Sequence, residues 1–422
     1  MFEVTGQDIA NLGDADLRTL VARLAQAEIR SRGGALSAVT AGGSQDAPDG
    51  GLDVRVECDS ALPKPDFLPR QITGFQVKKP DVPPSTILAE MRPKGSIRKV
   101  IRELADKSGA YVLVSSGASL TDKMLLDRKS AIRDALHDLP NAAQLHTDIY
   151  DRERLASWAT EYSGIATWVR IRVGRPLMGW SGVSDWDGTN KDKPYLFNDK
   201  ACLIDESQNK GQQLSVLEGI ERLRTSLRIP RNCIRLIGLS GLGKTRLVQA
   251  LFEQEVGSDA LDASISVYTD YSVETNPTAR DMARDLIARG QRAILIIDNC
   301  NPNTHSQLAQ LCSASTSEVS LLTVEYDVRD DEPEHTDVFR LYSTSPDLVT
   351  EWLKQEFPSL PQVSRDKVAE FSDGNFRVAR AICTTLLTRE RLWLDGYGLT
   401  GLSVIFWPRG ERALKSWRVL RR

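Results

Sequence analysis

The chain has few of the residues that build metal clusters or disulfide frameworks. Its 422 residues include six cysteines, at positions 58, 202, 233, 300, 312 and 383, and four histidines. No two cysteines stand at C-x-x-C spacing, so the sequence predicts neither a structural zinc site nor a disulfide scaffold. Free cysteines scattered through apolar runs are typical of a reducing compartment, and we therefore expect a cytoplasmic protein.

Long apolar runs are missing as well. No run approaches 18 apolar residues, and the N-terminus carries Glu3 and Asp8 instead of an apolar segment. The sequence thus predicts neither a membrane span nor a signal peptide. The net charge of −3 selects no class of partner, and no internal repeat is present. A chain of this length favours two to four domains.

The most informative motif lies at 238–245, where the sequence reads GLSGLGKT. An apolar run precedes it and a helical pattern follows it, which is the strand–loop–helix context of a phosphate-binding loop. Its glycines, Gly238, Gly241 and Gly243, allow main-chain N–H groups to surround phosphates. We predict that Lys244 contacts the β- and γ-phosphates of ATP and that Thr245 binds Mg²⁺.

A second nucleotide-binding element is predicted about 50 residues further on, where an apolar run ends in Asp298. Its carboxylate is expected to hold the water shell of the Mg²⁺ ion. After the next apolar run, Glu325 and Arg329 are candidates to sense the γ-phosphate, although a salt bridge within a loop is the simpler explanation.

The first 175 residues alternate helical and strand patterns and contain a second group of polar residues. A helix is predicted from Asp14 to a stop at Gly33 and Gly34, with Glu28 near the middle of its apolar stripe. A carboxylate on an apolar face is costly to bury unless something binds it. A position at the frayed end of the helix, with the side chain reaching water, explains Glu28 equally well.

Two strands with alternating apolar and polar residues are predicted next, at 52–57 and 72–79. If the strands pair, one face presents Asp53, Gln76 and Lys78, and Glu28 joins them from the helix packed nearby. Leu52 is expected on the opposite face, with the other apolar residues of its strand.

This group of side chains suits phosphodiester hydrolysis. Acidic and amide oxygens are ligands that Mg²⁺ prefers, and the metal activates an attacking water. Lys78 is expected to orient that water or to stabilise the charge of the phosphate. Two ordinary amphipathic strands with solvated polar faces produce the same spacing, so the pattern alone leaves both explanations open.

The segments DGGLD, which ends at Asp53, and FQVK, which contains Gln76 and Lys78, resemble the Mrr-like branch of the PD-(D/E)xK nuclease superfamily. The resemblance covers roughly residues 10–150. It implies a restriction-endonuclease-like α/β fold, Mg²⁺ held by Asp53, Gln76 and Glu28, and catalysis of DNA cleavage with Lys78. Residues 62–105 carry nine Lys and Arg against four Asp and Glu, which suits a phosphate backbone as well as a solvated helix face.

After residue 346 the pattern is helical, and a helix start at Gly374 and Asn375 resembles the lid of STAND ATPases, which are related to the NACHT and AP-ATPase proteins. Phe376 stands where this class often has proline, and Asn299 stands where it often has a second acid after Asp298. The resemblance therefore implies ATP binding and slow hydrolysis, which suits a switch held by nucleotide.

Together these observations predict an α/β chain, in which a restriction-endonuclease-like domain precedes a P-loop three-layer α/β NTPase with a small helical lid. The expected segments are a nuclease domain at 1–175, a linker at 176–212, an NTPase core at 213–345, a lid at 346–390, and a basic, Trp-containing tail at 391–422. The tail is expected either to contact nucleic acid or to be a truncated end without that role.

The combination resembles bacterial antiviral defence proteins, in which a phage-derived or protein trigger drives ATP-dependent self-association and releases DNA cleavage. It implies double-stranded DNA, ATP and Mg²⁺ as ligands, a homo-oligomer on activation, and no membrane. Two other functions stay open. One is an ATP-binding scaffold whose first domain grips DNA without cutting it. The other is an ATP-dependent restriction enzyme, against which the lack of a motor sequence of helicase length argues.

Overall fold

The computed structural model describes residues 2–42, 51–58, 67–186, 194–197, 202–206, 212–325, 335–342 and 346–394 of the chain. Most of the predicted tail, Arg329 and the first two residues of the DGGLD segment lie outside the described residues. The described part folds into two β-sheets flanked by helices and a small group of helices at its C-terminal end. None of the helices in these ranges combines the length and the apolar character needed to cross a membrane.

The first sheet has five strands in the order β1-β2-β3-β4-β5. Its strands are β1 (Val39–Ala41), β2 (Val54–Glu57), β3 (Ile72–Lys78), β4 (Ala110–Ser115) and β5 (His146–Tyr150). Its helices are α1 (Gly6–Asn11), α2 (Asp14–Ser31), α3 (Pro84–Met91), α4 (Lys99–Asp106), α5 (Asp122–Ala135), α6 (Arg152–Thr160) and α7 (Ser163–Arg172). Strand β2 runs antiparallel to both of its neighbours, whereas β3, β4 and β5 are parallel.

Helix α2 is held against this sheet by the apolar stripe that its sequence predicts. Leu17, Leu20, Val21 and Leu24 are fully buried in the core that also contains the apolar side chains of β2 and β3. Each such side chain contributes about 1.5–3 kcal/mol through burial. The helix ends just before Gly33, whose φ of +75° suits a glycine beyond a helix C-terminus.

The residues on either side of Asp53 pack on opposite faces of the first sheet. Val54 packs in the core under α2, whereas Leu52 packs on the other face, over Gly74 and beside Leu104 of α4. The prediction that Leu52 and Val54 share a face is therefore wrong. Strand β2 begins at Val54, so the period-two alternation of a strand does not extend back to Leu52.

The second sheet has eight strands in the order β6-β10-β11-β12-β9-β13-β7-β8. Its strands are β6 (Trp180–Gly182), β7 (Cys202–Asp205), β8 (Gln212–Ser215), β9 (Cys233–Ile237), β10 (Ser266–Asp270), β11 (Ala293–Asp298), β12 (Val319–Val324) and β13 (Thr336–Leu341). Its helices are α8 (Val216–Arg228), α9 (Lys244–Ala250), α10 (Ala279–Arg289) and α11 (Pro302–Cys312). The five central strands are parallel, and β6, β7 and β8 add antiparallel pairs at the two edges.

The predicted linker at 176–212 is not simply a connection, because it supplies edge strands to the second sheet. Strand β6 pairs with β10, and β7 pairs with β13. Trp180 is buried and its indole Nε1 donates to the carbonyl oxygen of Pro277 at 2.8 Å. These strands are three and four residues long, which is too short for an alternation that sequence reasoning can detect.

Three helices follow the second sheet, in the segment where the pattern predicts helices. They are α12 (Pro346–Glu356), α13 (Gln362–Ser372) and α14 (Phe376–Leu394). Their buried side chains, among them Val349, Leu353 and Val368, form a separate small core. We refer to these three helices as the lid.

The two sheets are joined by a continuous apolar core. Buried side chains of α6 and α7 belong to the same cluster as buried side chains of β10, α10 and β11. At the joint, Ser163 Oγ donates to the carbonyl oxygen of Ile265 at 3.0 Å, and Arg30 donates to that of Leu261 at 3.0 Å. A Cβ atom on Gly164 would lie 2.4 Å from the carbonyl oxygen of Ala263, so the two main chains approach closely there.

Candidate functional site

The glycine loop leaves the end of β9 and leads directly into α9. Gly243 precedes α9 with a φ of +92°, and Gly241 has a φ of +87°. A side chain at Gly241 would also lie 2.2 Å from Oδ1 of Asn375, at the start of the lid helix α14. The loop therefore requires glycine both for its turn and for its contact with the lid.

The side chain of Lys244 turns back into this loop. Its Nζ atom donates to the carbonyl oxygens of Gly238 at 2.7 Å and Leu239 at 2.9 Å. Burial lowers the pKa of the Lys244 ammonium to about 8, while the nearby Asp298 acts to raise it. The ammonium is thus held among neutral dipoles in a partly desolvated place, where an anionic group would stabilise its charge.

Asp298 ends β11 and reaches the loop across the sheet. The Thr245 hydroxyl donates to Asp298 Oδ2 at 2.7 Å, and the Tyr268 hydroxyl is 3.4 Å from the same oxygen. Burial raises the pKa of the Asp298 carboxyl, although the hydrogen bond from Thr245 opposes this. A hydroxyl and a carboxylate oxygen at this separation are the donor set that Mg²⁺ takes beside a bound nucleotide.

A cavity of about 580 Å³ opens between the loop, the sheet and the lid. Its aromatic lining comes from Trp186, Tyr195, Tyr268, Trp352 and Phe376. Trp186 and Tyr268 stack with their ring centroids 3.7 Å apart, and Trp352 meets Phe376 edge to face at 5.3 Å. The cavity therefore offers aromatic surface beside the glycine loop, which suits the base of a nucleotide.

The lid contacts the glycine loop directly. The main-chain N–H of Phe376 donates to the carbonyl oxygen of Gly241 at 2.9 Å, and Asn375 Nδ2 donates to that of Ser240 at 2.8 Å. Two arginines of α14, Arg377 and Arg380, line the cavity. They place positive charge on the lid side of the cavity, opposite to the sheet.

Glu325, which the sequence offers as a sensor of the γ-phosphate, is held in the interior of the sheet. It is fully buried after β12, and its Oε2 pairs with Arg235 Nε at 2.7 Å. Thr323 Oγ1 also lies 3.3 Å from Glu325 Oε1. The salt bridge is thus present, but it joins Arg235 of β9 to the residue that follows β12, and not two residues of one loop.

The polar residues predicted on the first sheet come together around Glu90 of α3. Gln76 Nε2 donates to Glu90 Oε2 at 2.8 Å, and Lys78 Nζ pairs with Glu90 Oε1 at 3.0 Å. Arg98 Nη2 lies 3.5 Å from the same carboxylate. The fully buried Tyr111 donates its hydroxyl to Gln76 Oε1, and burial raises the pKa of this phenol.

Asp53 borders this cluster at the start of β2. Its Oδ2 accepts a hydrogen bond from the N–H of Val77 at 2.7 Å, between Gln76 and Lys78. Its Oδ1 pairs with Arg18 Nε of α2 at 3.0 Å. We call Asp53, Gln76, Lys78, Glu90, Arg98 and Tyr111 the Glu90 cluster.

The structure does not bring Glu28 to this cluster. Its carboxylate accepts hydrogen bonds from Tyr162 at 2.7 Å and Trp158 at 3.3 Å, and it also pairs with Arg32. Arg18 is the α2 residue beside Asp53, and ten residues of helix, about 15 Å, separate it from Glu28. The prediction that Glu28 lies beside Asp53 is therefore wrong. The helical period determines which face of the helix a residue occupies, but it does not determine where along the sheet that residue lies.

Glu90 is the acid that sequence reasoning missed at this site. It lies 14 residues after Gln76, on a short helix whose spacing from β3 follows no pattern visible in one sequence. Among the residues that the structure describes, no three His, Cys, Asp or Glu side chains come together as metal ligands. The oxygen donors suited to Mg²⁺ at the Glu90 cluster are Asp53 and Glu90, because Gln76 turns its amide nitrogen to Glu90 and its oxygen to Tyr111.

The parallel sheet, the glycine loop after β9 and the acid that ends β11 define the second half of the chain as a P-loop NTPase-like α/β domain. Neither a family model nor a curated protein matches the chain. Similar solved structures include a STAND ATPase with a tetratricopeptide repeat sensor from Pyrococcus horikoshii, which is 11% identical with a TM-score of 0.26. That match covers 44% of this chain and 30% of the archaeal chain.

The structure of PCH-2 from C. elegans is also similar, at 13% identity and a TM-score of 0.31. It covers 46% of this chain and 71% of the nematode chain. This chain thus spans less than a third of the archaeal STAND protein. Likenesses at these scores concern the general α/β fold and carry no information on ligand or activity.

Proposed function

We propose that this chain is a DNA nuclease whose activity is controlled by ATP bound to its second half. The observation that carries the nucleotide part is the contact of Thr245 with Asp298, 2.7 Å apart, beside a glycine loop that encloses the ammonium of Lys244. In this proposal the second half is a STAND-like regulatory NTPase with slow turnover. The lid, which hydrogen-bonds to the loop, is the part that responds to the nucleotide.

Each residue of the nucleotide site has a separate task. Thr245 and Asp298 would hold Mg²⁺, which when bound neutralises the phosphate charge. Lys244 would leave the carbonyl oxygens of the loop and pair with the β- and γ-phosphates. Arg377 and Arg380 would approach the same phosphates from the lid, so that loop and lid are joined by one anion.

In the first half, the proposed hydrolytic site is the Glu90 cluster. Asp53 and Glu90 would hold Mg²⁺, which when bound polarises the scissile phosphate. Gln76 would join them only after its amide turns its oxygen from Tyr111 towards Glu90. Lys78 would orient the attacking water or stabilise the charge on the phosphate. Glu28 takes no part in this proposal, because it lies about 15 Å along α2 from Arg18, the residue of that helix beside Asp53.

We propose double-stranded DNA as the substrate. Lys94, Lys99 and Arg102 are exposed on the segment that also carries Arg98 of the Glu90 cluster, and they supply positive charge beside it. Such charge attracts a phosphate backbone without reading its sequence. The proposal includes a cytoplasmic antiviral role, a phage-derived or protein trigger, and self-association of the chain when ATP is bound.

The nuclease proposal is tested with Lys78→Ala and the matched variant Lys79→Ala. Lys78 pairs with Glu90, whereas the next residue, Lys79, has an exposed side chain. The purified variants are incubated with supercoiled plasmid, Mg²⁺ and ATP, with and without phage lysate. We expect Lys78→Ala to abolish nicking and Lys79→Ala to nick like the unmodified chain.

ATP affinity is measured for both variants by calorimetry, and we expect it to remain unchanged. Undiminished nicking by Lys78→Ala would refute the assignment of this site. Absence of nicking by the unmodified chain under every condition would favour a different function for the first half.

That different function is a DNA-binding scaffold without cleavage, and one observation favours it. Arg18, Lys78 and Arg98 already balance the carboxylates of Asp53 and Glu90 without a metal. A scaffold of this kind would bind plasmid DNA equally well in EDTA and in Mg²⁺, whereas the nuclease would cut it in Mg²⁺.

A further inference from the structure

The nucleotide site lacks a carboxylate directly after Asp298. Asn299 occupies that position with a φ of +54°, and its side-chain amide cannot accept a proton from water. Hydrolysis of ATP needs a group that orients the attacking water towards the γ-phosphate. If this chain hydrolyses ATP, another residue of the cavity has to supply that group.

The neighbouring strand β10 ends in an acid at the same level of the sheet. Strands β10 and β11 are parallel, and their register sets Asp270 directly beside Asp298. Adjacent residues in register project from the same face of a sheet, so both carboxylates lie on the face that carries the glycine loop. Asp270 lines the same cavity as Lys244 and Thr245.

The side chain of Asp270 is held in position by Asn299 and Ser272. Asn299 Nδ2 donates to Asp270 Oδ1 at 2.8 Å, and the N–H of Ser272 donates to the same oxygen at 2.9 Å. The side chain of Ser272 also hydrogen-bonds to this carboxylate, which is half-buried and lines the cavity, where it can meet a water. Asn299 is thus not an acid itself, but its side chain holds the neighbouring acid in position.

We propose that Asp270 is the catalytic carboxylate that orients the attacking water for ATP hydrolysis, with Asn299 as its positioning residue. This inference rests on the proposed function, because it requires ATP in the same cavity. The water oxygen forms a bond to the γ-phosphorus, and the bond from that phosphorus to the β–γ bridging oxygen breaks with its electron pair. The proton of the water passes to the Asp270 carboxylate and then to the released phosphate, leaving ADP.

The test compares three variants in ATP turnover and ATP affinity. Asp270→Asn keeps the shape of the side chain and removes its charge, and we expect turnover to fall about a hundredfold or more, as for loss of a general base. The affinity for ATP, measured by calorimetry, should stay within about threefold, because the phosphates are bound by other residues. The control is Asp366→Asn on α13, which removes an exposed acid away from the cavity and should change neither quantity.

A rescue variant separates catalysis from a structural role. Asp270→Asn combined with Asn299→Asp returns one carboxylate to the pair, and aspartate tolerates the positive φ at 299. We expect this double variant to recover turnover at least about tenfold over Asp270→Asn. Thermal melting of each variant verifies that it is folded.

The outcomes distinguish the inference from the function on which it rests. Failure of the unmodified chain to bind ATP would refute the nucleotide site itself. ATP binding with full turnover by Asp270→Asn would overturn only the role of Asp270. ATP binding without any hydrolysis by the unmodified chain would also overturn that role, and so would an equal loss of affinity and turnover in Asp270→Asn.

Discussion

At the glycine loop, Lys244 donates to two main-chain carbonyl oxygens, whereas in the first sheet Lys78 is paired with the carboxylate of Glu90. The first lysine keeps a net positive charge that an incoming triphosphate can use. The second is neutralised within the protein, together with Arg18 beside Asp53. The comparison teaches that similar side chains form a site ready for an anion in one half and a site balanced by internal ion pairs in the other.

The largest effect that this comparison predicts is on nucleotide binding. Lys244→Ala removes the ammonium from the loop, and we expect the affinity for ATP to fall by about two to three orders of magnitude, as for a desolvated charge contact. Calorimetry with ATP and Mg²⁺ measures this loss. Lys367→Ala, which removes an exposed lysine of α13, is the matched control. An unchanged affinity in Lys244→Ala would contradict the role given to the loop.

The second prediction concerns the joint between the two halves. Gly164→Ala places a Cβ atom 2.4 Å from the carbonyl oxygen of Ala263, and we expect unfolding in urea to require about 1–3 kcal/mol less free energy because the main chains have to separate. Gly13→Ala is the control, since its nearest neighbouring atom is 4.0 Å away. Equal stability of the two variants would show that the joint adjusts without strain.

The third prediction uses pH to probe the charge of Lys244. Its pKa in the nucleotide-free protein is lowered to about 8, and a bound triphosphate raises it again by favouring the charged form. ATP affinity should therefore be constant well below this pKa and fall about fivefold between pH 8 and pH 9, with uptake of a proton on binding. Calorimetry in buffers of different ionisation enthalpy measures that proton. An affinity that stays level to pH 9 would mean that Lys244 is charged throughout.

The smallest predicted effect is on metal binding at the Glu90 cluster. Arg18→Met removes the cation that pairs with Asp53 Oδ1, and we expect Mn²⁺ to bind the nucleotide-free protein about threefold to tenfold more tightly, given the modest worth of a partly exposed ion pair. Electron paramagnetic resonance of free Mn²⁺ follows this binding. Arg102→Met, on the exposed side of α4, should leave it unchanged. Weaker Mn²⁺ binding in Arg18→Met would instead support the DNA-binding scaffold without a metal.

The sequence predicts those features of the sites that depend on residues close together in the chain or on the alternation within one strand. The loop from Gly238 to Thr245 is contiguous, and Asp298 ends an apolar strand. Gln76 and Lys78 share one face of β3 because a strand alternates with a period of two. Their common contact with Glu90 confirms that they face the same side.

The rest depends on packing that no local pattern encodes. Glu28 lies on the predicted buried face of α2 but some 15 Å along the helix from the residue that meets Asp53. Glu90, Asp270 and Arg377 reach their sites from elements whose docking is set by the tertiary fold. Strands β6 and β7 lie in a largely polar segment, and strands this short carry too few side chains to show alternation.

The shared core has a consequence for how the molecule unfolds. Helix α7 packs on β10 and β6 of the second sheet and also contacts α1, α2 and α6 of the first half. Unfolding of either half would therefore expose apolar side chains of the other. We expect the chain to unfold as one cooperative unit instead of two. A destabilising substitution at Trp158, which is fully buried in the first half, would then lower the temperature at which the glycine loop unfolds, although Trp158 is not part of that loop.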